Sequence, residues 1–225
     1  MARRTKEEAE ETRLNLLDAA EHVFRAHGVA NSTLDQIAER AGTTRGAIQW
    51  HFKDKAGLFQ AMLESVAHPI HQRIVAKVDE AASEPLVIVV AHFLEPLRTI
   101  VQDERARSVI SIAAHMVEYA DELAGFRSWN LASQQSMVSN YQAGLRAAAR
   151  RHGVRLSVTS EVAARALHAM LCGLIESWVM HPAEFDLMKT GRGALCAHLI
   201  GLGFQPATLR ACGLGSALRP IRSAP

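Results

Sequence analysis

Residues 33–59, TLDQIAERAGTTRGAIQWHFKDKAGLF, decide the fold. Leu34, Ile37, Ala38 and Ala41 recur at helical spacing, and Ser32 or Thr33 stands where it can cap that helix, with Asp35 or Gln36 three residues on. Gly42 supplies the left-handed backbone that a tight inter-helix turn needs. A second helix then opens with Thr43 as its expected N-cap, so Thr44, Arg45 and Gly46 occupy an exposed first turn while Ala47 and Ile48 face inward. Two short helices broken at Ala41-Gly42, with polar residues leading the second, have the layout of a DNA-reading helix-turn-helix.

Upstream, Leu16, Leu17, Ala20, Val23 and Phe24 give residues 7–27 one apolar face, and Gly28 follows as a stop signal. Three helices of this size can share one small core. The chain's 225 residues leave room for a larger second domain. A hydrophobic content of 48%, with 5% aromatic residues and seven Pro, suits an all-α protein better than a β-sandwich. Cys172, Cys196 and Cys212 are scattered, odd in number and lack CxxC spacing, which argues against a disulfide scaffold or a metal site and for a reducing cytoplasm. No apolar run follows the basic N-terminus, and the stretches from Leu86 and from Leu167 read as too short to span a bilayer, so no membrane partner is expected.

Net charge is +2, and residues 1–55 carry nine Lys or Arg against nine Asp or Glu. Attraction to DNA must therefore come from distribution. Acids gather on the first helix (Glu7, Glu8, Glu10, Glu11, Asp18, Glu21), whereas Arg45, Lys53 and Lys55 flank the second helix of the pair, and Arg3, Arg4 and Lys6 form an N-terminal arm. Arg45 is sited to reach guanine or a phosphate, and Gln49, one turn later on that face, to pair with adenine. Thr33 and Thr44 offer hydroxyls at helix starts for phosphate oxygens. Trp50 fits either a sugar contact or the core.

Beyond Lys55 the pattern is of longer helices. Residues 54–82 read as one helix kinked near Pro69, as a hinge or a passive bend. SEPL at Ser83–Leu86 and DERA at Asp103 start further helices, and a long one follows Ala124-Gly125 to about His152. From Ser160 to His181 apolar residues cover more than one face, and Leu195, Leu199 and Leu202 form a stripe, so one surface can serve the core and another a partner. A two-fold dimer suits a helix-turn-helix reader, whose half-sites lie about 34 Å apart. Residues 205–225 show no helical stripe and are expected to be a flexible tail. The expected domains are thus 1–55 for DNA and 56–204 for ligand binding and dimerisation.

GTTRGAIQWHFKDKAGLF resembles the signature of TetR-family transcriptional repressors, and the opening MARRTKEEAEETRLNLLDAA is similar to the AcrR-like branch that controls multidrug efflux. Looser likeness continues through DERARSVISIAAHMVEYADEL and LCGLIESWVMHPAEFDLMK. The resemblance implies that His51 and Lys55 grip the DNA backbone, that Thr43 and Gly46 belong to the same interface, and that the last two long helices pair between subunits in a four-helix bundle. Gln49 departs from it, because an aromatic residue is usual there. It also implies a largely apolar ligand cavity among the middle helices. Candidate lining residues are His68, His71, Glu95, His115, Met116, Trp129, Asn130, Met170, Glu176 and Trp178, with His115 and Glu176 foremost. Carboxylates beside an apolar wall would favour cationic amphiphiles.

The function implied is a dimeric repressor that binds a palindromic double-stranded operator and is released by hydrophobic or amphiphilic molecules. The alternative is a sensor of an endogenous lipid or metabolite, or an activator. No cofactor or metal is expected. The paired Glu-x-x-His motifs of a di-iron bundle, the P-loop and the hydrolase elbow are all missing from the sequence, so an enzyme is not expected either.

Overall fold

The computed structural model describes residues 6–80, 84–115 and 124–217. Every regular element among them is helical: α1 Lys6–His27, α2 Leu34–Arg40, α3 Arg45–Phe52, α4 Lys55–Glu80, α5 Pro85–Gln102, α6 Glu104–His115, α7 Ala124–His152, α8 Ser160–Met180, α9 Leu187–Gly201 and α10 Pro206–Leu209. The chain is all-α, as expected. It forms two compact units, residues 1–69 with 104–132 and residues 70–103 with 133–225. α6 and the first turns of α7 therefore belong with the helix-turn-helix, whereas the sequence alone assigned everything from residue 56 to 204 to the second domain.

The first unit is built on the apolar face of α1. Leu16, Leu17, Ala20, Val23 and Phe24 are buried together with Ile37 and Ala38 of α2, Ile48 and Phe52 of α3, and Leu58, Phe59 and Met62 of α4. Phe59 meets Phe24 edge-on at 5.8 Å and Phe126 of α7 at 4.7 Å. α6 packs on α1, where Arg105 pairs with buried Glu21 at 3.5 Å. α4 continues through Pro69, which is itself exposed.

In the second unit α5 is the central helix, burying Leu86, Val89, Phe93, Leu97 and Ile100 against α8 and α9. Gly191 lets α9 approach, since a Cβ there would lie 2.4 Å from Leu97 Cδ1. The Leu195, Leu199 and Leu202 stripe is fully buried in this unit. At the N-terminus of α5, Glu84 accepts hydrogen bonds from the Leu86 N–H and Arg151 and contacts His152 at 3.0 Å. Partial burial opposes the charge on Glu84, yet these bonds and the His152 charge outweigh it and hold the carboxyl below its ordinary range.

α5 also carries a buried ion cluster. Glu95, 1% exposed, pairs closely with Arg98 one turn on and with Arg73 of α4 at 3.7 Å, while Thr99 donates to the Glu95 carbonyl and accepts from Arg73. Guanidinium groups from α4 and α5 thus face this carboxylate.

Two expectations are corrected here. By length and composition alone, α5 and α8 are long and apolar enough to cross a membrane, because each helix extends beyond the apolar run seen in the sequence. Residues 206–217 are not a structureless tail. α10, a π-turn at Arg210–Leu214 and a 3₁₀ turn at Gly215–Ala217 fold back onto α5 and α9 and bury Leu209, Cys212 and Leu214. Gly213 at φ +83° breaks the helix, so these side chains never make a regular stripe. Arg192 of α9 ties the fold-back down by donating to the Gly213 carbonyl at 3.0 Å. Cys172, Cys196 and Cys212 are all free thiols.

Candidate nucleic-acid interface

Thr33 caps α2 through a reciprocal box: its hydroxyl accepts from the Gln36 N–H at 3.2 Å, and the Gln36 side chain accepts from the Thr33 N–H at 2.8 Å. The hydroxyl expected on a phosphate is therefore engaged within its own helix. At the other end, the Gly42 N–H bonds the Glu39 carbonyl and the Thr43 N–H bonds the Ala38 carbonyl, with Gly42 at φ +63°. This double closure is a Schellman turn. It binds Thr43 to the end of α2, so α3 begins one residue later than expected and Thr44 caps it, accepting from the Ala47 N–H at 3.3 Å.

α3 is held from behind by Ile48 and Phe52, both buried, with Arg13 of α1 lying over the Phe52 ring at 5.6 Å. Its outer face carries Arg45, Gly46, Gln49 and Trp50, all exposed. Trp50 is 73% exposed, which rules out the core alternative, and it stands edge-on to His51 at 4.5 Å. Arg45 pairs with Asp35 of α2 at 3.3 Å on the surface. Such exposed pairs contribute about 0–1 kcal/mol, so the guanidinium is readily released to another anion. A groove of 460 Å³ runs beside α3, lined by Arg13, Gln49, Trp50, Lys53, Gln60 and Glu64 among others.

The junction after α3 is unusually tight. Lys53 sits at φ 71°, ψ −57°, and the Asp54 N–H bonds the Phe52 carbonyl at 2.9 Å, which is the strained, φ-positive form of the γ-turn. Asp54 then accepts from the Gly57 N–H at 2.8 Å and starts α4.

Lys55, expected on the DNA backbone, instead reaches across the unit. Its Nζ donates to the carbonyls of Ala30 and Ser32, each at 3.0 Å, and so pins the α1–α2 turn to α4. Lys55→Ala leaves two carbonyls without this donor and is expected to cost about 1.5–3 kcal/mol, read as a lower thermal midpoint of the free protein. A purely DNA-contacting lysine would leave that midpoint unchanged. The arm residues Arg3 and Arg4 lie outside the described residues, and Lys6 is the first residue of α1.

The ligand candidates divide between the units. His68 is exposed and Trp129 and Asn130 half-buried in the first, with Trp129 against Phe126 at 5.7 Å; His115 ends α6, and Met116 lies outside the described residues. In the second unit His71 is exposed, Met170 half-buried and Trp178 buried. Of the two carboxylates, Glu176 is exposed on α8, and Glu95 is ion-paired with Arg98 and Arg73.

Two polar residues that the sequence reading passed over share the interior of this unit, Tyr141 of α7 and His92 of α5, their rings 6.2 Å apart. Tyr141 lies one turn from Leu145 and two from Ala148, both buried, a spacing that marked it as inward.

Residues 16–62 match the family described as bacterial regulatory proteins, tetR family, and residues 84–202 match the C-terminal region of MAATS-type transcriptional repressors. The HTH-type transcriptional regulator TtgR of Pseudomonas putida is 38% identical over 190 residues, covering 84% of this chain and 90% of that one. The structure of NalD, the secondary repressor of the MexAB-OprM multidrug efflux pump in Pseudomonas aeruginosa, superposes with a TM-score of 0.78 at 33% identity, covering 88% of this chain and 98% of that one. SmeT, repressor of the Stenotrophomonas maltophilia multidrug efflux pump SmeDEF, aligns in its triclosan complex at a TM-score of 0.68 and 28% identity, covering 95% of this chain and all of that one. With an N-terminal reading head of this geometry and relatives matched along most of their length, the chain belongs to the TetR family of bacterial transcriptional regulators and carries the C-terminal region of its MAATS-type repressors.

Proposed function

We propose that this protein is a ligand-responsive repressor that binds a palindromic operator as a dimer, is released by hydrophobic or amphiphilic molecules, and controls a multidrug efflux operon in the bacterial cytoplasm. The observation that carries the reading is the outward row Arg45, Gly46, Gln49 and Trp50 on a helix locked from behind by Ile48 and Phe52. Thr44 and the free N–H groups at the start of α3 meet a phosphate, Arg45 and Gln49 read base edges, and Trp50 and His51 flank them on the backbone. Thr33, Thr43 and Lys55 act on DNA indirectly, by fixing the turns that aim α3.

Dimerisation is assigned to α8, which leaves Val162 and Met180 exposed and whose most apolar stretch is only 28% buried within one chain. Relatives that repress efflux pumps, one of them solved with triclosan, support the regulatory role and the small-molecule trigger. The chain acts as a regulator and not as an enzyme.

The reading is tested by titrating a labelled duplex from the region upstream of the protein's own gene. Arg45→Ala is expected to weaken binding by about 10- to 100-fold, the equivalent of one bidentate contact, while Gln49→Ala mainly relaxes preference at one base pair. A Gln49→Ala protein with unchanged base preference removes Gln49 as a reader, and wild-type protein that ignores this duplex at low salt overturns the function.

A further inference from the structure

Tyr141, like His198, is a residue of the second unit with a buried polar atom that the fold does not pair. The side chain is 1% exposed, yet among the described residues its hydroxyl meets no hydrogen-bond partner. Buried hydroxyls in native interiors are nearly always bonded, and one left alone costs about 1–3 kcal/mol. The helices around it are closely packed: α7 approaches α5 at Gly144, where a Cβ would lie 2.7 Å from Val89 Cγ2.

The neighbouring polar group is complementary. His92 stands at 67° to the Tyr141 ring, and its Nδ1 lies 3.0 Å from the Ile88 carbonyl oxygen. A carbonyl can only accept, so the ring hydrogen sits on Nδ1 and Nε2 presents a bare lone pair. Burial, and secondarily the charge of His71, lower His92 so that it stays neutral, while burial and the Cys172 thiol raise Tyr141 so that it stays a phenol. A donor and an acceptor, both uncharged, are thus carried on neighbouring rings of α7 and α5, 6.2 Å apart.

We propose that the Tyr141 hydroxyl and His92 Nε2 together recognise one hydroxyl group of a neutral, largely apolar effector, Tyr141 donating to its oxygen and His92 accepting its proton. This deepens the small-molecule-responsive reading above and rests on it. It names the trigger as an uncharged hydroxyl compound and excludes a cationic amphiphile as the best fit.

Tyr141→Phe is the decisive variant. It removes an oxygen that has no partner in the free protein, so the variant is expected to fold with an unchanged or slightly higher thermal midpoint. The probes are triclosan at slightly acidic pH, where its phenol is protonated, its O-methyl ether, and a benzalkonium cation, each titrated into the full-length protein by calorimetry. Wild type is expected to bind triclosan about tenfold more tightly than the ether and more tightly than the cation, and Tyr141→Phe to lose the preference for triclosan over the ether.

A Tyr141→Phe protein that still prefers triclosan over the ether overturns the proposal, as does equal or tighter binding of the cation or failure of every probe to bind wild type. Operator release is measured in parallel. Hydroxyl-selective binding that is lost in Tyr141→Phe but leaves the operator occupied would refute the coupling to DNA and leave this site standing. Release by triclosan with unaltered selectivity in Tyr141→Phe would do the reverse.

Discussion

Gly57→Ala is expected to destabilise the reading head and weaken operator binding, although the residue touches no DNA in the proposed mode. A Cβ at this position would lie 2.1 Å from the Phe52 carbonyl oxygen and 3.3 Å from its carbon. Both are backbone atoms, and the backbone cannot step aside. Phe52 is the last residue of α3, its carbonyl holds the Asp54 N–H, and Lys53 between them is already in the left-handed region at φ 71°. Ordinary overpacking costs about 1–3 kcal/mol where a side chain can yield, so roughly 3 kcal/mol or more is expected here. For a chain of this size that lowers the thermal midpoint by about 6–12 °C. Circular dichroism melts of the variant check it, and an unchanged midpoint would show that the turn after α3 is looser than described.

Arg98→Met is expected to have the second-largest effect, on the other unit. Glu95 is 1% exposed, and Arg98 is its closest ionic partner, one turn away on the same helix. Methionine keeps the bulk of the side chain and removes the charge, so the carboxylate remains buried with Arg73 at 3.7 Å as a weaker counter-charge. Breaking a fully buried pair costs about 3–5 kcal/mol; with Arg98 itself 31% exposed and Arg73 still present, about 2–3 kcal/mol is expected. Urea titration of the variant measures the loss, and an unchanged unfolding free energy would show that Arg73 alone compensates Glu95.

The elements that could be read in advance were those with local signals. Gly42 announced the turn, the apolar spacing of Leu16 to Phe24 gave the inner face of α1, and DERA at Asp103 marked the start of α6 within a residue. Each depends on residues within about two helical turns of one another. What escaped depends on reach. Nothing near Lys55 in the chain indicates that its ammonium meets carbonyls at Ala30 and Ser32, because the loop that brings them together is closed only by the folded core. Thr43 was the expected cap of α3, and the Schellman closure of α2 moved that role to Thr44. Arg98, three residues after Glu95, was visible as an intrahelical partner, and reading it would have withdrawn Glu95 as a free carboxylate. The hydrogen-bonding state of Tyr141 could not be read at all, since an unpaired hydroxyl is a property of everything around it. The C-terminal turns defeated the periodicity because Gly213 reverses the handedness of the backbone midway through Leu209, Cys212 and Leu214.

The division of α3 into a locked inner side and an unsupported outer side also bears on how such a regulator diversifies. Arg45, Gly46, Gln49 and Trp50 are exposed and give little to the stability of the head, so in the proposed mode replacing them would leave the scaffold intact while altering the choice of duplex.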